Sequence, residues 1–458
     1  MINFAHRLVS FAFCVALHVL PAAALEVETH TTPAGYQFDL MKVPKATQTV
    51  IRIVWKGGNG FLPDGKENVD ELGPVMLVNG GSEGLSPDEL QRQVNALGAG
   101  FQVYSKLDAL HGMLIAPNDK LAETAALLNT VLAKPTMDGR WLRRFKRNFV
   151  ENVSTNAKTP SGQAWLTIRE VTVGDHPYRQ IWNATPVENI SSITIADIKD
   201  WHRRVVTSDG VRVFVAGKAE VTDIAAAVDI VLEGLPTGSG RQDFPQLEMS
   251  YPAKTILVHR PEAEKSYLLI GGPVPKIYAP NQEAREIGVG VLGVSDQSRL
   301  FTAVRKELRA AYGFKAWMDS FSRENAMIYM QGEVETAKLQ DAYDTVRDTY
   351  EELRTDGIGL IEFPFAQRIF KNRAYGIAEK PRGAANLMVE AWLTGRPVED
   401  GLRYPERAAG LSRGSVNQAI QDEFPPFSQM VKIVVSPDRD AVVADCIIAD
   451  FSEADRCR

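Results

Sequence analysis

The sequence predicts an α+β fold built twice, with two homologous α/β units in one chain. Three observations carry this. The chain has 458 residues, long for one domain and natural for two. A polar, glycine-containing stretch at residues 235–243 (LPTGSGRQD) divides it almost evenly. Strand-like and helix-like segments follow the same order on either side of that stretch, as in an internal duplication.

In the first half, residues 49–55 (TVIRIVW) are a β-branched run that reads as a strand. A helical region follows. Ser86, Pro87 and Glu89 then form a capping box with proline at the first helical position. Leu90, Val94 and Leu97 supply the apolar stripe of that helix, and Gly98 ends it. Residues 101–104 begin a strand. In the second half, residues 266–270 (SYLLI) are the strand. Leu300, Val304 and Leu308 form a helical stripe before Gly313, and residues 314–317 begin the next strand. Residues 119–132 pair with 335–353 as long amphipathic helices, and residues 211–216 with 431–435 as late strands. The organisation expected is a first unit at 25–234, a linker at 235–250 and a second unit at 251–458.

Composition is that of a globular chain, 45% hydrophobic and 24% charged. The net charge of −6 and the lack of a dense basic run argue against a nucleic-acid or anionic-membrane partner. Residues 1–24 read as a secretory signal. Arg7 is the positive region, an apolar stretch of thirteen runs from 8 to 20, and Pro21-Ala22-Ala23-Ala24 offers cleavage before Leu25. That stretch is short of the roughly 20 residues a membrane span needs, so no stable membrane insertion is expected. Secretion into a bacterial periplasm leaves Cys446 and Cys457 in the mature chain. They form either a disulfide that ties down the tail or two free thiols.

The most informative segment is Ser298-Arg299-Leu300-Phe301, continuing to Val304-Arg305 and Ala311-Tyr312-Gly313. Read as a helix, Arg305 and Tyr312 lie two turns apart on one face. A fixed cation and a phenol there could bind a polarised carbonyl or a carboxylate. Spacing alone favours an ordinary amphipathic helix with a solvated Arg and a packed Tyr, because such pairs are common on any helix.

The wording of the segment resembles the second-domain motif of the pitrilysin/insulinase family of zinc peptidases. The resemblance implies two homologous domains forming half of a clamshell, with Arg305 and Tyr312 binding substrate and stabilising the transition state. Leu308-Arg309-Ala310 departs from the family's Arg-Gly-Leu, which puts the local loop shape in question.

These peptidases hold zinc with His-x-x-Glu-His on a helix. None of the seven histidines has a second at helical ligand spacing, the closest two being twelve apart. Gly65-Lys66-Glu67-Asn68-Val69 resembles the lead into the family's zinc helix. Glu71, Pro74 and Val75 then stand where His, Glu and His would be. Proline at the base position also costs a helix interior roughly 3 kcal/mol. Glu151, near the third ligand's place, reads as a solvated helix residue. No metal or other cofactor is expected in this chain.

The resemblance therefore implies a non-catalytic subunit, inactive alone, that gives Arg305 and Tyr312 to a homologous zinc-bearing partner acting on unfolded peptides. The alternative is a purely structural or peptide-binding pseudo-peptidase.

Three other signals are set aside. Gly288-Val289-Gly290-Val291-Leu292-Gly293 spells a dinucleotide fingerprint but has charged residues 283–286 ahead of it where a strand is needed. It is read as a helix end and loop. Gly57-Gly58-Asn59-Gly60 is read as a turn. His176 and His202 are read as architectural.

Overall fold

The computed structural model describes residues 26–56, 66, 68–106, 109–174, 176, 187–238, 247–320 and 322–458. The signal segment, residues 57–60 and residues 239–246 of the linker lie outside the described residues.

The first half contains β1 (Val27–Thr31), β2 (Gln37–Lys42), β3 (Gln48–Lys56), β4 (Gly100–Lys106), β5 (Ala109–Pro117) and β6 (Val211–Gly217). Its helices are α1 (Val69–Asn79), α2 (Pro87–Ala96), α3 (Leu121–Ala133), α4 (Gly139–Asn156), α5 (Pro160–Val173), α6 (Val187–Ser192), α7 (Ile195–Val205) and α8 (Val221–Leu232). The second half contains β7 (Thr255–His259), β8 (Ser266–Val274), β9 (Lys315–Ser320), β10 (Ala326–Val334), β11 (Val431–Ser436) and β12 (Cys446–Ile448). Its helices are α9 (Gln282–Val289), α10 (Leu339–Asp356), α11 (Glu362–Ala378), α12 (Pro381–Leu393), α13 (Val398–Leu402), α14 (Tyr404–Gly410) and α15 (Arg413–Glu423). Two π-helical segments, Gly290–Val294 and Phe301–Glu307, lie between α9 and β9.

Each half forms a six-stranded sheet, in the orders β1-β2-β6-β3-β5-β4 and β12-β7-β11-β8-β10-β9. Five positions correspond strand for strand, including the parallel β2–β6 and β7–β11 pairs. The edge strands break the symmetry: β1 runs antiparallel to β2, whereas β12 runs parallel to β7. The expected duplication and α+β class are thus present. The central strand β3 is buried at every residue but its two ends, because helices cover both faces of its sheet. That explains a continuous β-branched run rather than an alternating one.

One face of each sheet packs against helices of its own half, giving the two largest cores. The other faces are covered by exchange. Ala164, Ile168 and Val171 of α5 pack on the second sheet, against Tyr267, Leu269 and Ile433. Ala385, Met388 and Val389 of α12 pack on the first sheet, against Val50, Val54 and Phe214. The approach of α5 is close enough that a Cβ on Gly271 of β8 would lie 2.7 Å from Ile168 Cδ1.

Local signals mostly hold. Ser86 caps α2 by accepting from the Glu89 amide at 3.2 Å, and Gly98 after it has φ +60°. The reciprocal half of the expected capping box is missing, because the Glu89 carboxylate binds Arg92 and Gln93 instead. The glycine-rich 288–293 stretch is not a loop. It continues α9 into π-helix, and a Cβ on Gly293 would lie 2.2 Å from the Ala316 backbone nitrogen on β9. Glycine is needed there for helix-on-strand contact. The C-terminal segment Phe451–Cys457 packs on α5 and is joined to β12 by the Cys446–Cys457 disulfide, Cα–Cα 5.8 Å. Among the described residues no helix is long and apolar enough to cross a membrane.

Candidate functional site

Arg305 and Tyr312 come together, though not as a helical pair. Arg305 sits in the π-helical segment Phe301–Glu307, which ends before Tyr312. The chain then turns through Arg309 at φ +55°, and Tyr312 belongs to the loop beyond. The Arg305 guanidinium carbon lies 5.0 Å from the Tyr312 ring centroid, a cation–π stack. Arg305 is exposed and Tyr312 is 87% exposed, so both polar ends face solvent. The corrected geometry places guanidinium and phenol on one outward surface by loop folding rather than by helical repeat.

The loop has several anchors. Ala310 and Ala311 are buried, and Ala311 bridges Val334 at the end of β10. The Glu335 amide donates to the Ala310 carbonyl at 2.8 Å. The Lys338 ammonium donates to the carbonyls of Leu308 (3.0 Å) and Arg309 (3.4 Å), the kind of C-terminal groups a helix leaves unsatisfied. Arg309 occupies the position where the resembled motif has glycine, and it adopts a positive φ itself.

Glu71, Pro74 and Val75, read from the sequence as standing where metal ligands would be, lie on α1. Glu71 accepts from the Asn68 side chain at 3.1 Å, Pro74 is buried inside the helix, and Val75 is 37% exposed. The helix runs on through Pro74 because Leu72, Met76 and Leu77 are buried in the first core. Burial pushes the Glu71 carboxyl up to about 8, with neighbouring Asp70 adding to it. A carboxyl protonated near neutral pH is a poor metal ligand. Asp70, buried and bonded by the Trp201 indole at 3.0 Å, is pushed up to about 6 by burial. Glu151 is exposed on α4. Glu71, Pro74 and Val75 do not fit a zinc ion, and among the described residues no three His, Cys, Asp or Glu gather as a metal site.

His202 contacts the Leu132 carbonyl at 2.7 Å, an architectural role. His111 pairs with Arg52 at 2.9 Å beneath α12, and burial together with that guanidinium pushes it down to about 3, so it stays neutral.

Sequence reasoning missed a cavity of about 380 Å³ in the second half. It lies between α9, the first π-helical segment, β9 and α11, and is lined largely by apolar side chains. The available signal was α11, whose Phe365 and Ile369 read as a core stripe but are 42% and 50% exposed.

Comparison with known proteins bears out the resemblance read from the sequence. Residues 192–369 match the family model described as the peptidase M16 inactive domain, M16 being the pitrilysin group. No curated protein matches by sequence. Among solved structures, a peptidase M16 inactive domain from Pseudomonas fluorescens is 20% identical with TM-score 0.80, covering 92% of this chain and 99% of that one. A protease from Helicobacter pylori is 14% identical with TM-score 0.77, covering 90% and 100%. The periplasmic protease PqqL from Escherichia coli is 12% identical with TM-score 0.67, covering 94% of this chain and 50% of that one.

Proposed function

We propose, from this likeness to the peptidase M16 inactive domain, that the chain is the non-catalytic subunit of a secreted two-chain metallopeptidase. It presents Arg305 and Tyr312 to peptide bound by a homologous zinc-bearing partner. The stacked and exposed Arg305–Tyr312 pair on an anchored loop carries the reading. A phenol hydroxyl and a guanidinium are donors that can meet a scissile carbonyl oxygen as it gains negative charge. The metal chemistry belongs to the partner, since residues 71–75 cannot supply it.

Two further observations support a partner and a compartment. This chain covers half of the periplasmic protease it resembles in fold, so a second chain of similar size would complete an equivalent assembly. The order of residues 1–24 and the Cys446–Cys457 disulfide suit an oxidising compartment outside the cytoplasm.

The test is co-expression with His-x-x-Glu-His-bearing homologues, followed by copurification and a peptide-cleavage assay. The chain alone should cleave nothing and the pair should cleave. Stoichiometric zinc and chelator-sensitive cleavage in the chain alone would falsify the reading. In a purely structural subunit, changes at Arg305 and Tyr312 leave kcat of the pair intact.

A further inference from the structure

We propose that the cavity between α11 and β9 is a peptide-binding site selective for apolar segments that carry carboxylates. Trp317 and Met318 both line it. Consecutive strand residues point to opposite faces of a sheet. Met318 packs with the helix-covered core of the second half, whereas the Trp317 ring packs with Trp165 and Tyr329 on the opposite face. Strand β9 is the outermost of its sheet and pairs only with β10.

The facing walls are apolar and open to solvent. Val294 and Ile369 are each 50% exposed and Phe365 is 42% exposed. At about 380 Å³ the space takes one or two large side chains of a bound segment.

Charge sets the preference. Arg373 lines the cavity, is exposed, and makes no ion pair among the described residues. On the same helix Arg368 and Lys371 are also exposed and, among the described residues, rest on the rings of Phe365 and Tyr375. The carboxylates of the cavity are engaged already. Glu362 pairs with Arg299 at 2.7 Å, and Glu286, which senses Arg373, accepts from Tyr404 and Gln282. An acidic side chain on the incoming peptide would find an unpartnered cation beside an apolar surface, whereas a basic one would meet a like charge at Arg373.

The test is fluorescence anisotropy of the purified chain with two fluorescein-labelled octapeptides. One alternates Leu or Phe with Asp; the other has Lys in place of every Asp. The acidic peptide should bind saturably and about tenfold tighter than its basic counterpart. Arg373→Glu should abolish or reverse that preference. Ile369→Asp should weaken the acidic peptide by about tenfold, with an unchanged thermal melt. If Ile369→Asp unfolds the protein, the exposed Arg373→Glu alone decides. No saturable binding up to about 1 mM, equal affinity for both peptides, or an unchanged preference in Arg373→Glu each overturns the proposal. So does a concentration-dependent dimer that Ile369→Asp dissolves, with no peptide binding. The assay needs neither the zinc-bearing partner nor Arg305 and Tyr312, so it can fail while the proposed function stands, and the reverse.

Discussion

The ammonium of Lys338 donates a 3.0 Å hydrogen bond to the carbonyl of Leu308, at the point where the π-helical segment gives way to the Tyr312 loop. Lys338 touches neither Arg305 nor Tyr312, yet it holds the chain between them. Lys338→Met should lower kcat of the assembled pair by about tenfold through misplacement of the loop. Lys338→Arg should restore most of the rate, and global stability should move by no more than about 1 kcal/mol. Steady-state kinetics with a parallel denaturation curve check this. An unchanged kcat in Lys338→Met shows that the loop is held by its other anchors.

Tyr312→Phe removes one hydroxyl from an exposed side chain. If the phenol meets the developing oxyanion, kcat of the pair should fall by about 10²-fold with folding unaffected. Arg305→Ala should lower kcat/KM, because positioning and charge are lost together. Size-exclusion chromatography should show intact assembly in both variants, and unchanged kcat in both would reduce the chain to a scaffold.

Glu71 gives a pH signature that needs no partner. Its folded pKa, raised by burial to about 8, lies above its ordinary value of 4.5. The protonated form is therefore the one the fold favours. This contribution is fully present below about pH 4.5 and is lost as pH rises through about 8. Asp70, raised to about 6, acts in the same direction over a lower range. Glu71→Gln should flatten the pH dependence of stability between those limits and stabilise the protein at pH 8, by an amount on the order of a few kcal/mol. Urea denaturation at pH 5 and pH 8 measures it. A parallel decline with pH in wild type and variant would rule Glu71 out as the source.

Gly293→Ala should be costly even though alanine suits helices. The new Cβ would lie 2.2 Å from the Ala316 backbone nitrogen, where no flexible side chain can move aside. A loss of about 2 kcal/mol or more is expected from such overpacking, read from the denaturation midpoint. A neutral result means that β9 can shift away from the π-helical segment.

The repeated strand–helix order was legible in residues 49–55, 266–270 and 431–435, because β-branched runs and polar breaks report local structure directly. The lack of a paired-histidine helix was legible in the spacing of the seven histidines. The helical geometry assigned to Arg305 and Tyr312 was not. Neither a π-helical turn nor a non-glycine residue in the left-handed region leaves a composition signal, so the departure at Leu308-Arg309-Ala310 marked the loop without showing that the chain turns at Arg309. The cavity was hidden for a different reason. Phe365 and Ile369, four apart on α11, have the spacing of a buried stripe, and periodicity cannot say whether an apolar face has been covered.

Periodicity also could not show that α5 and α12 trade sheets. The trade makes the linker a boundary of the chain but not of the packing. Residues 26–238 expressed alone would leave Val50, Val54 and Phe214 without their cover, and α5 with nothing to lie on. Separated halves should therefore be poorly soluble singly and should recombine when mixed, and a nick between them should release neither. The same logic reaches back to the duplication. A one-unit ancestor carrying this helix would have been a reciprocally swapped dimer, and fusing two copies would have turned an intermolecular exchange into an intramolecular one.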